Sequence, residues 1–490
     1  MYNNHNNARS TNDPVPVIIV GSGLAGLSAA YTALQSGATS VYMFERAAKP
    51  GGNSIKASSG INGATTGDDA FFADTIRSAG KRLAETASSE AKVQREHLIK
   101  ILTERSPQAI GFLSDLGVDL SVVTQLGGHS RARTHRGAGK TPPGVAIVST
   151  LLEKLKTEFG KGKFRLLTGC EVTKLLTTTH SDGAVAVTGV EYKTEAAGVE
   201  MLRGPVVFAT GGFAGDTHGL LSRYRPDLSG LPSTNEPRPG GHDVLTAVGA
   251  RLVDMDSVQI HPTGFVDPQN PGARLKFLAA EMLRGEGGIL LHEGKRFVNE
   301  LETRERVSEV IMKLPEAKEE GVLKQWDVRL LLDPGAAKAA EGHISFYVWK
   351  GLLKKLKVKD LAETTQKTLR EYAEVVSGRE GKVDGMGRRA FGHWSLGVKE
   401  WDDEAEVCVG RITPIVHFTM GGVAINDHAQ VLASELGQEQ KPIQGLWAAG
   451  EITGAIHGDN RLGGSSLLEC VVFGRISGER AALAARDGHG

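Results

Sequence analysis

The chain has 490 residues, too many for one compact core, so two or three domains are expected. Its 57 lysines and arginines balance 57 aspartates and glutamates, which removes any electrostatic reason to bind nucleic acid or an anionic membrane surface. Cys170, Cys408 and Cys470 are far apart and form no CxxC or CxxCH; this argues against disulfides, attached haem and cysteine-ligated iron–sulfur clusters, and for buried thiols in a reducing compartment.

Residues 1–13 are polar and Asn-rich, which predicts a disordered tail and neither a signal peptide nor an amphipathic transit sequence. No apolar run approaches the ~18 residues of a membrane span. The expectation is a cytoplasmic protein, or an organellar one should a presequence be missing from this sequence.

Val17-Ile18-Ile19-Val20 then reads as a buried parallel strand, and Gly21-Ser22-Gly23-Leu24-Ala25-Gly26 turns it into a helix whose first N–H groups can face a pyrophosphate. Gly21 allows the turn, Gly23 lets backbone approach phosphate, and Gly26 lets helix pack on strand. The helix runs from Leu24 to Ser36 and stops at Gly37. A second strand, Val41 to Phe44, ends at Glu45, which is placed to accept hydrogen bonds from a ribose hydroxyl. Strand, glycines, helix and acid in register specify a dinucleotide site better than the glycines alone.

Past Arg46 come Gly51-Gly52-Asn53-Ser54 and Ala57-Ser58-Ser59-Gly60-Ile61-Asn62. These small and hydroxyl residues crowd backbone N–H groups into a confined space, against which a flat, acceptor-rich ring can lie. Here the chain resembles the flavoprotein family of fumarate reductases and succinate dehydrogenases, where these segments wrap the ribityl chain and isoalloxazine of FAD. Members in membrane complexes carry a histidine bonded covalently to the flavin. Asn53 stands at that position, so the resemblance implies non-covalent FAD and the soluble branch of the family.

Asp69 to Gly117 has helical spacing of apolar residues, read as packing. Gly127 to Arg136 is a basic, glycine-broken loop, open between a place near the flavin and a solvated surface. A helix is expected at Val145 to Leu155, then strands at Phe164 to Leu167, Glu171 to Leu175 and Val185 to Tyr192, with Asp182-Gly183 as a turn. A further strand, from Pro205, ends in Thr210-Gly211-Gly212. Gly240-Gly241-His242-Asp243 suggests another helix N-terminus, with Asp243 as cap or ribityl contact. Composition changes after Leu252, and Lys313 to Arg379 reads as a lysine-rich helical region. Thr419 to Ile425, a closing strand ending at Gly450-Glu451, and a helix from Ser466 to Ala484 return to the flavin domain.

The expected fold class is α/β: a Rossmann-like FAD-binding domain in two segments, 14–255 and 417–490, with an α+β capping domain, 256–416, inserted between them. The resemblance implies FAD contacts from Gly21, Ser22, Gly23, Ala25, Gly26, Glu45 and Arg46 in the first unit, and from Gly52, Asn53, Ser54, Ser59, Gly60 and Ile61 in the second. It adds Val172, Thr210, Gly211, Gly212 and Asp243, and near the C-terminus Gly450, Glu451, Arg461, Gly464, Ser465, Ser466 and Leu467.

Six polar residues complete the pattern: His261, Glu281 with Arg284 three residues on, Arg304, His417 and Arg461. Each alone has a structural explanation; in this order and with these flanks they match the fumarate reductase pattern. The resemblance makes His417 and Arg461 the clamp on one carboxylate of a dicarboxylate, and His261 a binder of the other end. It makes Arg304 the proton donor, with Glu281 and Arg284 as its relay. Ala280 departs from relatives that place a substrate-touching hydroxyl there. The implied reaction is reduction of fumarate to succinate, with a reduced free flavin, FMNH2 or FADH2, as diffusible donor and no haem or iron–sulfur subunit. The alternatives are a sister enzyme acting on L-aspartate, urocanate or another unsaturated acid, and a non-catalytic flavin sensor.

Overall fold

Val17–Val20 is buried at every position and lies inside a sheet, as a strand covered on both faces must. The structure, a computed structural model, describes residues 15–64, 70–84, 89–181, 183–194, 198–317, 323–378, 381–433 and 441–487. The expected tail, Asp69 and Asp182 lie outside these residues. The strand order is Phe164–Thr168, Val41–Glu45, Val17–Val20, Val206–Phe208, Pro442–Ala448, Val185–Thr194, Cys170–Thr179. The first six run parallel, and the last is antiparallel. Pro442–Ala448 thus comes from the far end of the chain to sit beside Val206–Phe208.

The helix Ser465–Arg486 locks the two ends together by crossing the first helix, Leu24–Gln35. A Cβ at Gly474 would lie 2.6 Å from the Ala25 carbonyl oxygen, and one at Gly478 2.2 Å from that of Ala29. Glycine at both positions is what lets the two backbones approach so closely. The expected helical stretch before Gly117 contains three helices, Ala70–Ala84, Ser89–Glu104 and Ser106–Asp115.

A second, antiparallel sheet forms the cap, in the order Phe277–Leu278, Val258–Phe265, Glu406–Thr419, Val328–Leu332, Ile289–His292, Lys295–Arg296. It has its own core of residues such as Leu290, Leu330, Ile412 and Val416, which also takes in Phe213, Leu220 and Leu228. Two sequence expectations need correcting. Glu406–Thr419 pairs within the cap as far as Val258↔Thr419, so position 416 is inside a strand. The Lys313 to Arg379 region holds helices Pro334–Ala339, Glu341–Trp349 and Glu363–Val376, but also strands Val328–Leu332 and Lys354–Lys357. The first strand is a short buried apolar run and the second an exposed lysine-rich edge, neither of which has a helical period.

Two bulges shape the cap where it meets the first domain. Gln259 pairs with Phe418 and Ile260 with Val416, which leaves His417 as the extra residue; His261 pairs with Ile415 and Gly264 with Thr413, setting Pro262 and Thr263 opposite Pro414. Bulges re-aim side chains and accommodate proline. Among the described residues no helix is long and apolar enough to cross a membrane.

Candidate active site

A cavity of about 760 Å³ lies between the carboxyl ends of the parallel strands and the cap, where open α/β sheets bind ligands. Gly21 has φ +104°, and a Cβ there would lie 2.3 Å from the Ala209 carbonyl oxygen. Gly23 caps the first helix without a side chain, and no acidic residue occupies the first turn, so its positive end faces the cavity unshielded. Glu45 Oε2 accepts from the Ser22 N–H at 3.2 Å and its hydroxyl at 2.5 Å, while Oε1 accepts from Ala47 at 2.8 Å. A carboxylate held this way keeps further lone pairs for ribose hydroxyls.

Gly21, Ser22, Gly23, Ala25, Glu45 and Arg46 line the cavity, as do Gly52, Asn53, Ser54, Ser59 and Gly60. So do Val172, Thr210, Gly211, Gly450, Glu451, Gly464, Ser466 and Leu467. Thr210 Oγ1 is buried without a protein partner, as suits a wall made for a polar ligand. Gly26, Ile61, Gly212 and Ser465 stand behind this surface. Gly26 touches Gly21, with a Cβ there only 2.0 Å from its oxygen, and Gly212 makes room for Thr419 and Glu451. Ser465 Oγ accepts from Asn62 Nδ2 at 2.9 Å. Asp243 is a correction. Gly241 caps the helix His242–Thr246, and the Asp243 side chain is exposed, because it falls within the helix and points away from the cavity.

His417, Arg304 and Arg461 reach the cavity from three separate stretches of chain. Arg304 opens the helix Arg304–Met312, capped by Thr303. Its Nε donates to Glu281 Oε2 at 2.9 Å, its Nη2 donates to the same oxygen, and its Nη1 donates to Gln259 Oε1 at 3.0 Å. Arg461 Nη2 donates to that Gln259 oxygen at 3.1 Å and Nη1 to the Leu462 carbonyl at 3.0 Å, while Nε has no partner. The Arg461 guanidinium also lies 4.3 Å from the centre of the Phe418 ring. Behind them, Arg284 Nη2 is 3.6 Å from Glu281 Oε1, and its Nη1 donates to the Glu300 carbonyl at 2.7 Å.

His261 is fully buried, its ring 5.3 Å from that of His417. Its Nδ1 accepts from the Thr263 N–H at 3.2 Å, so the ring proton sits on Nε2. That nitrogen is buried and unpartnered, a donor directed at no protein group.

The family profile described as FAD binding domain matches residues 16–467. The chain belongs to this FAD-binding family. It is 40% identical to fumarate reductase 1 of Saccharomyces cerevisiae over 95% of this chain and 98% of that one. It is 39% identical to a fumarate reductase of Schizosaccharomyces pombe, covering 96% and 90%. Among solved structures, the open conformation of a flavocytochrome c3 fumarate reductase superposes with TM-score 0.72 at 30% identity, over 97% of this chain and 79% of that one. FAD is the cofactor that the glycine-rich cradle takes.

Beside that FAD site burial is the leading influence on the ionisable groups. Burial first, and then the like charge of Arg304, brings Arg461 down to about 9. Burial also keeps His261 and His417 far below the ordinary histidine value, reinforced in both by Arg304. Glu281 is pushed up by burial, but Arg304 and Arg284 more than offset this and hold it below the usual carboxylate range. Glu451 is pushed up to about 7, chiefly by burial, against the hydrogen bond it accepts from the Thr419 N–H.

Gln259 does not stand out in the sequence, since a glutamine two residues before His261 carries no charge and no motif. Only the fold shows one amide oxygen serving two guanidiniums, with Nε2 donating to Asn460 Oδ1 and the Arg461 carbonyl, both at 2.8 Å. The basic loop from Gly127 to Arg136 does not line the cavity; its tip, Ser130 to Ala132, is exposed, while His129 and Arg133 are buried. Arg133 Nη1 donates to Asp74 at 2.7 Å and to His129 Nδ1 at 2.8 Å, and His129 Nε2 donates to the Gly463 carbonyl at 3.0 Å. The loop therefore braces the turn that carries Arg461.

Proposed function

We propose that the protein reduces fumarate to succinate with non-covalent FAD and a reduced free flavin as donor, so that FMNH2 and fumarate give FMN and succinate. Fumarate reduction with FAD is supported by relatives at 40% and 39% identity over nearly the whole chain. The observation that carries the reading at the site is the convergence on the cavity of Arg304, Arg461 and His417, with Arg461 Nε and the neighbouring His261 Nε2 buried and without a protein acceptor. A dicarboxylate supplies acceptors for these donors.

Arg461 offers a planar fork suited to one carboxylate, alongside His417. His261 offers its unpartnered Nε2–H to the other end. When held by the glycine-rich cradle, reduced FAD would supply a hydride for one alkene carbon. The neighbouring carbon of fumarate then gains carbanion character and takes its proton from an Arg304 nitrogen, which a strongly basic centre held against it can do. Glu281 bridges Arg304 to Arg284, and this pair returns the proton. The surrounding cations also stabilise the charge that grows on the substrate carboxylate.

In this reading the described residues up to Met255 and those after Thr419 form the FAD-binding unit, and those between form the cap. Assay of fumarate, acrylate and urocanate with reduced methyl viologen or FMNH2 as donor, and of L-aspartate with an oxidised dye as electron acceptor, tests it. Turnover confined to fumarate is expected. Equal turnover of a monocarboxylate such as acrylate would remove the two-ended clamp.

A further inference from the structure

Among the described residues only three Phe, Tyr or Trp side chains are largely exposed: Phe277 at 47%, Phe346 at 42% and Trp349 at 74%. They are neighbours. The Phe277 and Phe346 ring centroids are 6.3 Å apart and those of Phe346 and Trp349 6.0 Å. Lys350 Nζ lies 5.5 Å from the centre of the Phe277 ring and 4.9 Å from that of Trp349. Phe277 and Phe346 also line the cavity, so the cluster forms the cap's side of its mouth.

The helix Glu341–Trp349 buries Ile344 and Tyr347 and is held to the cradle by His343 Nε2, which donates to the Ser58 carbonyl at 3.2 Å. Its aromatic face is therefore fixed beside the opening. Contiguous exposed aromatic surface marks a binding site more often than chance, and none of the FAD contacts or clamp residues assigned above belongs to it.

We infer that this surface is the docking seat of the diffusible donor, a flavin mononucleotide, with its flat ring on the aromatic faces and its phosphate on Lys350. The inference rests on the free-flavin reading given above. Planar heteroaromatic rings stack on Phe and Trp without needing a hydrogen-bond code, which suits a ligand that binds and leaves at every turnover. Lys350 is the cation suited to the phosphate: it has no carboxylate partner among the described residues, whereas Lys56, which lines the cavity, is paired with Glu236 at 3.7 Å. A ring seated here lies at the entrance of the FAD cavity without entering the dicarboxylate site.

Oxidised FMN titrated with FAD-loaded enzyme should show saturable quenching of its fluorescence. Trp349→Ala and Lys350→Ala, with FAD content confirmed by visible spectrum, should each weaken FMN binding by about fivefold or more and raise the KM for FMNH2 in parallel. Lys350→Ala should leave the affinity for riboflavin, which has no phosphate, as it was. Unchanged FMN affinity in both variants, while wild-type enzyme still reduces fumarate with FMNH2, overturns the seat and leaves the donor reading standing. Wild-type turnover with reduced methyl viologen but none with FMNH2 overturns both. Variants that alter the sedimentation coefficient but not FMN binding make the patch a contact between copies of the chain, and the seat is then wrong.

Discussion

Glu281 Oε2 accepts from two nitrogens of Arg304, from Nε at 2.9 Å and from Nη2. Both residues are buried, so the pair holds the guanidinium in one orientation toward the cavity. Replacing Arg304 with alanine should lower kcat by roughly 10² to 10⁴, the range for a lost general acid, while FAD stays bound. Glu281→Gln should lower kcat with little change in KM, because it removes the proton route and leaves the carboxylate clamp. Steady-state kinetics with reduced methyl viologen reads both. Near-normal turnover in Arg304→Ala would show that another group is the acid.

Gln259 makes a second prediction. Its Oε1 joins Arg304 Nη1 to Arg461 Nη2, and so sets the proton donor and the carboxylate clamp relative to each other. Gln259→Leu keeps bulk but leaves both nitrogens without that acceptor. A misplacement near 1 Å costs about a hundredfold, so kcat/KM for fumarate should fall by that order, with kcat and KM both affected. A change confined to KM would make Gln259 a binding group for substrate alone.

The cradle was legible because its chemistry is local: one strand, three glycines and Glu45 lie within about 30 residues, a span over which spacing alone defines a site. The candidate catalytic residues were legible only as flanked motifs. What brings His261 and His417 together is the pair of bulges between Val258–Phe265 and Glu406–Thr419, and pairing register between strands so far apart leaves no trace in either one. Gln259 and the Asp74, Arg133, His129 brace were hidden for the same reason. Asp243 failed because an acid near a helix start is a capping signal, and the true cap lies two residues earlier, at Gly241.

Asn53 has a chemical consequence. Its carboxamide donates to Asn235 Oδ1 and has no ring nitrogen with which to bond a flavin carbon. Acid precipitation should therefore leave FAD in the supernatant, seen by its absorbance, and the pelleted chain should have the mass of the unmodified sequence. Flavin in the pellet would establish a covalent link.

His242 gives a dependence of stability on pH. It is fully buried with both ring nitrogens unpartnered, and burial lowers its pKa to about 4. The unfolded chain takes up a proton below about 6.5 that the folded chain refuses until about 4. More protons are then bound in the unfolded state, so stability falls as pH drops from 6.5 to 4 and levels off below. The contribution is on the order of 3 kcal/mol. His242→Leu should remove it: in urea titrations the variant should lose less stability between pH 6.5 and 4 than the wild type. Identical slopes would show that His242 is protonated in the folded protein.

Gly478 and Gly111 should respond oppositely to the same substitution. Alanine is favoured over glycine within a helix by about 1 kcal/mol, and Gly111, in Ser106–Asp115, has nothing within 4 Å of an added Cβ. Gly111→Ala should therefore raise the melting temperature. At Gly478 the new Cβ would lie 2.2 Å from the Ala29 carbonyl oxygen, a backbone atom that cannot rotate away. Overpacking of this kind costs roughly 1–3 kcal/mol, which outweighs the propensity gain. The helix must then move off Leu24–Gln35, and it carries Ser466 and Leu467 of the cavity wall at its other end. Gly478→Ala should lower the melting temperature and also weaken FAD binding, read as the FAD to protein ratio after dialysis. A variant that melts earlier but keeps all its FAD would mean the cradle is held independently of this crossing.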